Sequence, residues 1–197
     1  MRVLARFAVV VVAALAVSAC GPDAPKFKAS DVTGTAYGRD FKLTDHTGTP
    51  RTLADYRGKA VVLFFGYTQC PDVCPTTLSE LAEAMKRLGP DADLVQALFV
   101  TIDPERDTPA LLAQYVPAFD PRFVGLYGDA AATARTAKEF KVLYQKQPGR
   151  TPSTYTMDHS AGTFIFDPQG RLRLYVGYGQ GPDVFVHDLK ELLHRTG

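Results

Sequence analysis

Cys70-Pro71-Asp72-Val73-Cys74-Pro75 sets two sulfurs three residues apart, between a β-branched and aromatic run and an amphipathic stretch. Neither proline can donate a backbone hydrogen bond, so a regular helix that began before Cys70 could not run comfortably through Pro75. The simplest solution starts the helix near Cys74 or Pro75. Both sulfurs then stand beside its positive end, where a thiolate is stabilised and the thiol pKa falls. Such a pair can exchange disulfides. Three intervening residues, against two in ordinary dithiol oxidoreductases, also open a bite suited to one soft ion. An inert crosslink is the plainer reading, but a disulfide stabilises least when the loop it closes is this short.

Two thiolates do not complete a metal site, and the chain offers four histidines as a third ligand. His187 and His194 fall on or near the polar side of a terminal helix and His46 in a turn, positions that read as solvated. His159 lies in a loop just before a core strand, and in an open α/β sheet such a loop can lie beside the first strand-to-helix loop. Cys70, Cys74 and His159 together form a soft donor set that suits Cu(I) and can hold Cu(II), with zinc as the nearest competitor. Met157, two residues before the histidine, reads as packing rather than as a thioether ligand. Asp72 and Asp158 flank the ligands, where they can orient them or simply face water.

The elements that must position these groups follow from periodicity. Phe41 to Leu43 and Arg51 to Leu53 flank a turn-rich Asp45-His46-Thr47-Gly48 and predict a short hairpin. Ala60 to Tyr67 predicts a strand buried on both faces, and the cysteine loop follows it directly. Leu78, Leu81, Met85 and Leu88 recur at helical spacing, with Thr77 and Glu80 placed as a capping box, and Leu94 to Ile102 returns as a second buried strand. Thr108-Pro109 opens another helix; Ala130 to Tyr144 predicts a third, with Ala137, Phe140 and Tyr144 on one face. Thr163 to Phe166 and Arg171 to Val176 predict paired strands, and Phe185, Leu189, Leu192 and Leu193 a closing amphipathic helix. The fold class is α/β: a thioredoxin-like fold with an N-terminal hairpin extension and a late loop insertion.

Arg2 and Arg6 precede an apolar run from Phe7 to Val17 that is too short to span a bilayer, so residues 1–19 read as a signal peptide. The run closes on Val17-Ser18-Ala19-Cys20, like the lipobox of bacterial lipoproteins, which makes Cys20 the expected lipidated first residue. A lone exposed thiol would be a liability in an oxidising space. Residues 20–36 are poor in large apolar side chains and predict a flexible tether, with the folded domain at 37–197. Of the 22 basic and 21 acidic residues, Arg2 and Arg6 leave with the signal, so 20 basic residues face 21 acidic ones. No charge excess remains to hold nucleic acid.

Three segments carry a resemblance: FFGYTQCPDVCPTTL (64–78), FVTIDPERDTP (99–109) and MDHSAGTFIFDPQGRL (157–172) are similar, in order and spacing, to the Sco/SenC family of copper proteins. The resemblance implies a thioredoxin-like fold, copper held at the positions of Cys70, Cys74 and His159, and a role in building the dinuclear copper centre of cytochrome c oxidase. The implied partners are the copper-site subunit of that oxidase, other periplasmic copper chaperones, and a membrane reached through the lipid. Many members carry an N-terminal transmembrane helix, whereas this chain shows a lipobox; the expected location is the periplasmic face of a bacterial envelope. Gly21 is not the aspartate associated with inner-membrane retention, so either membrane fits. The Asp103-Pro104-Glu105-Arg106-Asp107 run reads as a loop fixed by local charge pairs. Two functions stay open. One is a copper metallochaperone, and the other a thiol-disulfide oxidoreductase that reduces the oxidase cysteines through Cys70 and Cys74. A peroxidase ranks behind both, since it would need no histidine.

Overall fold

The computed structural model describes residues 25–151 and 154–195; the expected signal segment and Cys20 lie outside them. In chain order the strands and helices are β1 Ser30–Asp31, β2 Leu43–Asp45, β3 Pro50–Arg51, β4 Ala60–Gly66, α1 Val73–Leu88, β5 Val95–Thr101, α2 Pro109–Tyr115, β6 Val124–Tyr127, α3 Ala130–Glu139, β7 Tyr144–Gln147, β8 Thr156–His159, β9 Thr163–Phe166, β10 Leu172–Val176 and α4 Pro182–Arg195. Eight strands form one mixed sheet in the order β1-β10-β9-β4-β5-β6-β2-β3, while β7 and β8 pair as a separate hairpin. β4, β5 and β6 run parallel, and β9 lies antiparallel to β4.

Every residue of β4 is buried, as its unbroken apolar run requires of a strand covered on both faces. Phe64 points to one face, where it meets Phe99 of β5, which in turn meets Tyr115 of α2. Phe65 points to the other, against Phe164 and against Phe140 just past α3. The predicted mixed α/β architecture is therefore present. The N-terminal hairpin β2–β3 joins the main sheet through β6, and the late insertion is the β7–β8 hairpin.

Several boundaries differ from the sequence reading, each for a local reason. α1 begins at Val73, so Thr77 is buried inside the helix and makes no capping box with Glu80. Pro75 sits in the first turn, where its missing N–H would have had no partner anyway. α3 stops at Glu139 because Lys141 adopts φ +54, a left-handed conformation that ends a helix, and Tyr144 passes into β7. The fold also starts before Tyr37. The N–H groups of Lys28 and Ala29 donate to the buried carboxylate of Asp188 on α4, at 2.9 and 2.8 Å, and Ser30–Asp31 pairs with β10. Polar composition argues for a tether through residue 36, but backbone hydrogen bonds to a distant carboxylate hold this segment, and Phe27, Ala29 and Val32 pack on the core. No described helix is long and apolar enough to cross a membrane.

Candidate metal centre

β4 delivers the chain into Tyr67–Asp72, and α1 opens one residue before Cys74. The Cys74 N–H donates to Cys70 Sγ at 3.4 Å, so a sulfur takes one of the first-turn donors that a helix leaves unsatisfied. Both cysteines are free thiols, Cys74 fully buried and Cys70 half-buried. The Cys70 thiol is pulled down to about 5, first by a hydrogen bond from the Cys74 thiol, then by the N–H groups of Asp72 and Cys74 and by His159. Cys74, as the donor to Cys70 and deep in the fold, is pushed well above the usual thiol range. The expectation of two reactive sulfurs at the helix start thus resolves into one poised thiolate and one buried thiol.

His159 lies at the end of β8 rather than in a loop, paired in register with Tyr144. Its Nδ1 stands 2.9 Å from the Ser160 carbonyl oxygen. A carbonyl can only accept, so Nδ1 is the donor in that contact, and in the neutral ring Nε2 is the nitrogen that offers a lone pair. That Nε2 is 3.7 Å from Cys74 Sγ, and the ring is flanked edge-on by Phe64 and Tyr67. One donor atom from each of Cys70, Cys74 and His159 lies within 4.8 Å of the others. Two sulfurs and an imidazole nitrogen with its tautomer fixed by a carbonyl fit a soft metal ion.

The other groups singled out by sequence fall elsewhere. Met157 is buried and lines the same groove as Cys70 and His159. Asp72 and Asp158 are exposed on the rim; their carboxylates accept from Thr76 and Gln147. The remaining histidines are engaged rather than merely solvated. His46 Nδ1 accepts from the Gly125 N–H at 3.0 Å, His187 meets Asp188 at 2.7 Å, and His194 meets Asp91 at 3.0 Å.

The 103–107 run is more than a loop fixed by its own charge pairs, because two of its carboxylates support the site. Asp107 is buried and accepts from the Thr68 N–H and hydroxyl, two residues before Cys70, and from Thr101 of β5 at 2.6 Å. Asp103 accepts from the Tyr155 hydroxyl at 2.7 Å, which ties down the hairpin that carries His159. The signal for this was two aspartates just after a core strand, at the sheet end where the cysteine loop also emerges.

A SCO1/SenC family model matches residues 29–194. The chain belongs to the SCO1/SenC family. Among curated SCO relatives, the mitochondrial SCO2 homolog of Mus musculus is 39% identical over 153 residues, covering 77% of this chain and 60% of the relative. The SCO2-like protein of Rickettsia felis is 33% identical over 154 residues, 78% of this chain and 75% of the relative. For the vertebrate SCO2 relatives the matched region is about half to three-fifths of their length. Among solved Sco structures, copper-bound ScoI of Bradyrhizobium japonicum superposes with TM-score 0.74 at 42% identity, covering 80% of this chain and all of that one. Copper-bound yeast Sco1 gives TM-score 0.74 at 30% identity, covering 82% and 90%. The thioredoxin-like fold expected from sequence is the fold of these Sco neighbours.

Proposed function

We propose that this chain binds one copper ion through Cys70, Cys74 and His159 and delivers it to the copper-site subunit of cytochrome c oxidase. The carrying observation is the convergence of the three donors within 4.8 Å, with Nδ1 of His159 engaged by the Ser160 carbonyl and Nε2 facing Cys74. Copper in two Sco relatives that share this fold supports the choice of metal, and family membership supports the oxidase as acceptor. The copper is cargo. Cys74 is buried and Cys70 half-buried, so an incoming thiolate of the acceptor must approach from the Cys70 side, and ligand exchange proceeds from there. The protein works at the periplasmic face of a bacterial envelope, held by lipid on Cys20, and other periplasmic copper chaperones supply the ion.

The test is metal analysis of reduced protein with a calibrated chelator. The wild type takes about one copper per chain and prefers Cu(I) to zinc. His159→Ala weakens copper binding, Cu(II) most, yet leaves thiol exchange intact. Wild-type copper affinity in Cys70→Ser and Cys74→Ser would sink the site assignment.

A second reading rests on the asymmetry of the two thiols. A Cys70 thiolate can attack an acceptor disulfide, and Cys74 then resolves the mixed disulfide after losing its proton. The acceptor leaves as a dithiol, and this chain is left as a disulfide. A His159→Ala variant that binds copper normally but loses exchange would move this reading ahead.

A further inference from the structure

Among the described residues the His159 hairpin β7–β8 shares no strand pairing with the main sheet, so contacts that involve side chains of the body hold it against the cysteine loop. Three hydrogen bonds between the hairpin and the body involve residues 103–106. The Tyr155 hydroxyl donates to Asp103 at 2.7 Å, Lys146 donates to Glu105 at 2.8 Å, and Arg106 donates to the Tyr155 carbonyl at 2.8 Å. Of residues 103–106 only Arg106 reaches both ligand-bearing segments, beside a second link made by Tyr67, whose hydroxyl meets the Met157 backbone and the Cys70 side chain. Arg106 Nη1 bonds the Tyr155 carbonyl on the hairpin side, and Gln69 Oε1, one residue before Cys70, at 3.1 Å.

The guanidinium is held in that place by several further contacts. Its Nε donates to the buried Asp103 carboxylate, and its Cζ lies 3.5 Å from the centroid of the Tyr155 ring. The ring of Tyr67, which also flanks His159, is 5.6 Å away, and Lys146 sits 3.7 Å from Tyr155. Arg106 Nη2, in contrast, is buried with no hydrogen-bond partner. An unpaired buried donor is costly, so the group is placed to bridge rather than to satisfy its own donors.

We propose that Arg106 is a positioning residue of the metal centre, a planar fork that sets the His159 hairpin against the cysteine loop. The proposal builds on the copper reading above and gives Arg106 a role that its charge pair with Asp103 alone would not require. A lysine keeps the charge but cannot bond two acceptors in one plane while stacking on a ring.

The experiment uses the full-length chain in detergent, reduced, as wild type, Arg106→Gln, Arg106→Lys and Gln69→Ala. Hydrogen exchange of the β7–β8 amides is followed without metal, and nitrogen hyperfine coupling and affinity are followed with Cu(II). Arg106→Gln should exchange the hairpin amides about tenfold faster and bind Cu(II) roughly 10-fold to 100-fold more weakly with the nitrogen coupling reduced, as loss of an outer support does at metal sites. Arg106→Lys should recover only part of both losses. Gln69→Ala, at an exposed position that cannot unfold the core, should shift both readouts in the same direction by a few-fold. A folded Arg106→Gln with wild-type exchange and wild-type nitrogen coupling would overturn the proposal. If Arg106→Gln does not fold, unchanged readouts in Gln69→Ala overturn it instead. Should the wild type bind no copper, the copper reading fails, while the metal-free exchange still judges the bridge.

Discussion

A Cβ placed on Gly66 would lie 2.7 Å from Cys74 Sγ and 2.8 Å from Phe99 Cε2, so the last residue of β4 is the floor on which the buried sulfur rests. Real Cβ atoms do not approach that closely, and both neighbours are fully buried. Gly66→Ala should therefore cost about 1–3 kcal/mol of stability through overpacking and weaken copper binding by moving Sγ. Denaturant unfolding and chelator competition measure the two. Adding Phe99→Leu should recover stability but not copper affinity, because the clash with sulfur remains. Recovery of both would show that Gly66 matters only for packing.

Cys70 should behave as a thiolate well below neutral pH. Its thiol is drawn down to about 5, with the Cys74 hydrogen bond as the leading cause. Iodoacetamide should alkylate the reduced, metal-free protein at Cys70, with a rate that climbs through about pH 5 and then levels off, while Cys74 stays unmodified. In Cys74→Ala that inflection should move up toward the ordinary thiol value of about 8.5. An inflection near 8.5 in the wild type would remove the thiolate from the account.

Asp188→Ala should detach the N-terminal segment without harming the site. The substitution leaves the Lys28 and Ala29 N–H groups without their acceptor, which costs roughly 2 kcal/mol. Thermal unfolding should drop, protection of the β1 amides should vanish in hydrogen exchange, and copper stoichiometry should stay unchanged. Full β1 protection in the variant would mean that pairing with β10 suffices.

Cys20→Ala should release the protein from the membrane fraction or block its processing, with copper binding in vitro preserved. Because backbone hydrogen bonds hold the chain from Lys28 onward, the folded body begins closer to the expected lipid than a tether running to residue 36 would put it. Mass spectrometry of the mature N-terminus reads the outcome. An unmodified terminus on a soluble periplasmic protein would end the lipid-anchor proposal and leave the copper site untouched.

What depends on neighbours along the chain is legible in the order of residues. Ala60–Gly66 is apolar throughout and is the buried β4; Thr108-Pro109 is a cap and a first-turn proline, and Thr108 accepts from the Leu111 N–H. The two prolines of the cysteine loop put the start of α1 beside both sulfurs, within a residue or two of where the helix begins. Other features depend on how distant segments pack together. Tyr144–Gln147 is too polar to announce a strand, and its partner β8 lies nine residues further on. Cys74 and His159 are 85 residues apart, Lys28 and Asp188 are 160 apart, and Arg106 bonds residues 37 positions before it and 49 after it. Local preference specifies torsions and burial, but which carboxylate meets which N–H across such separations is set only when the sheet order brings the segments together.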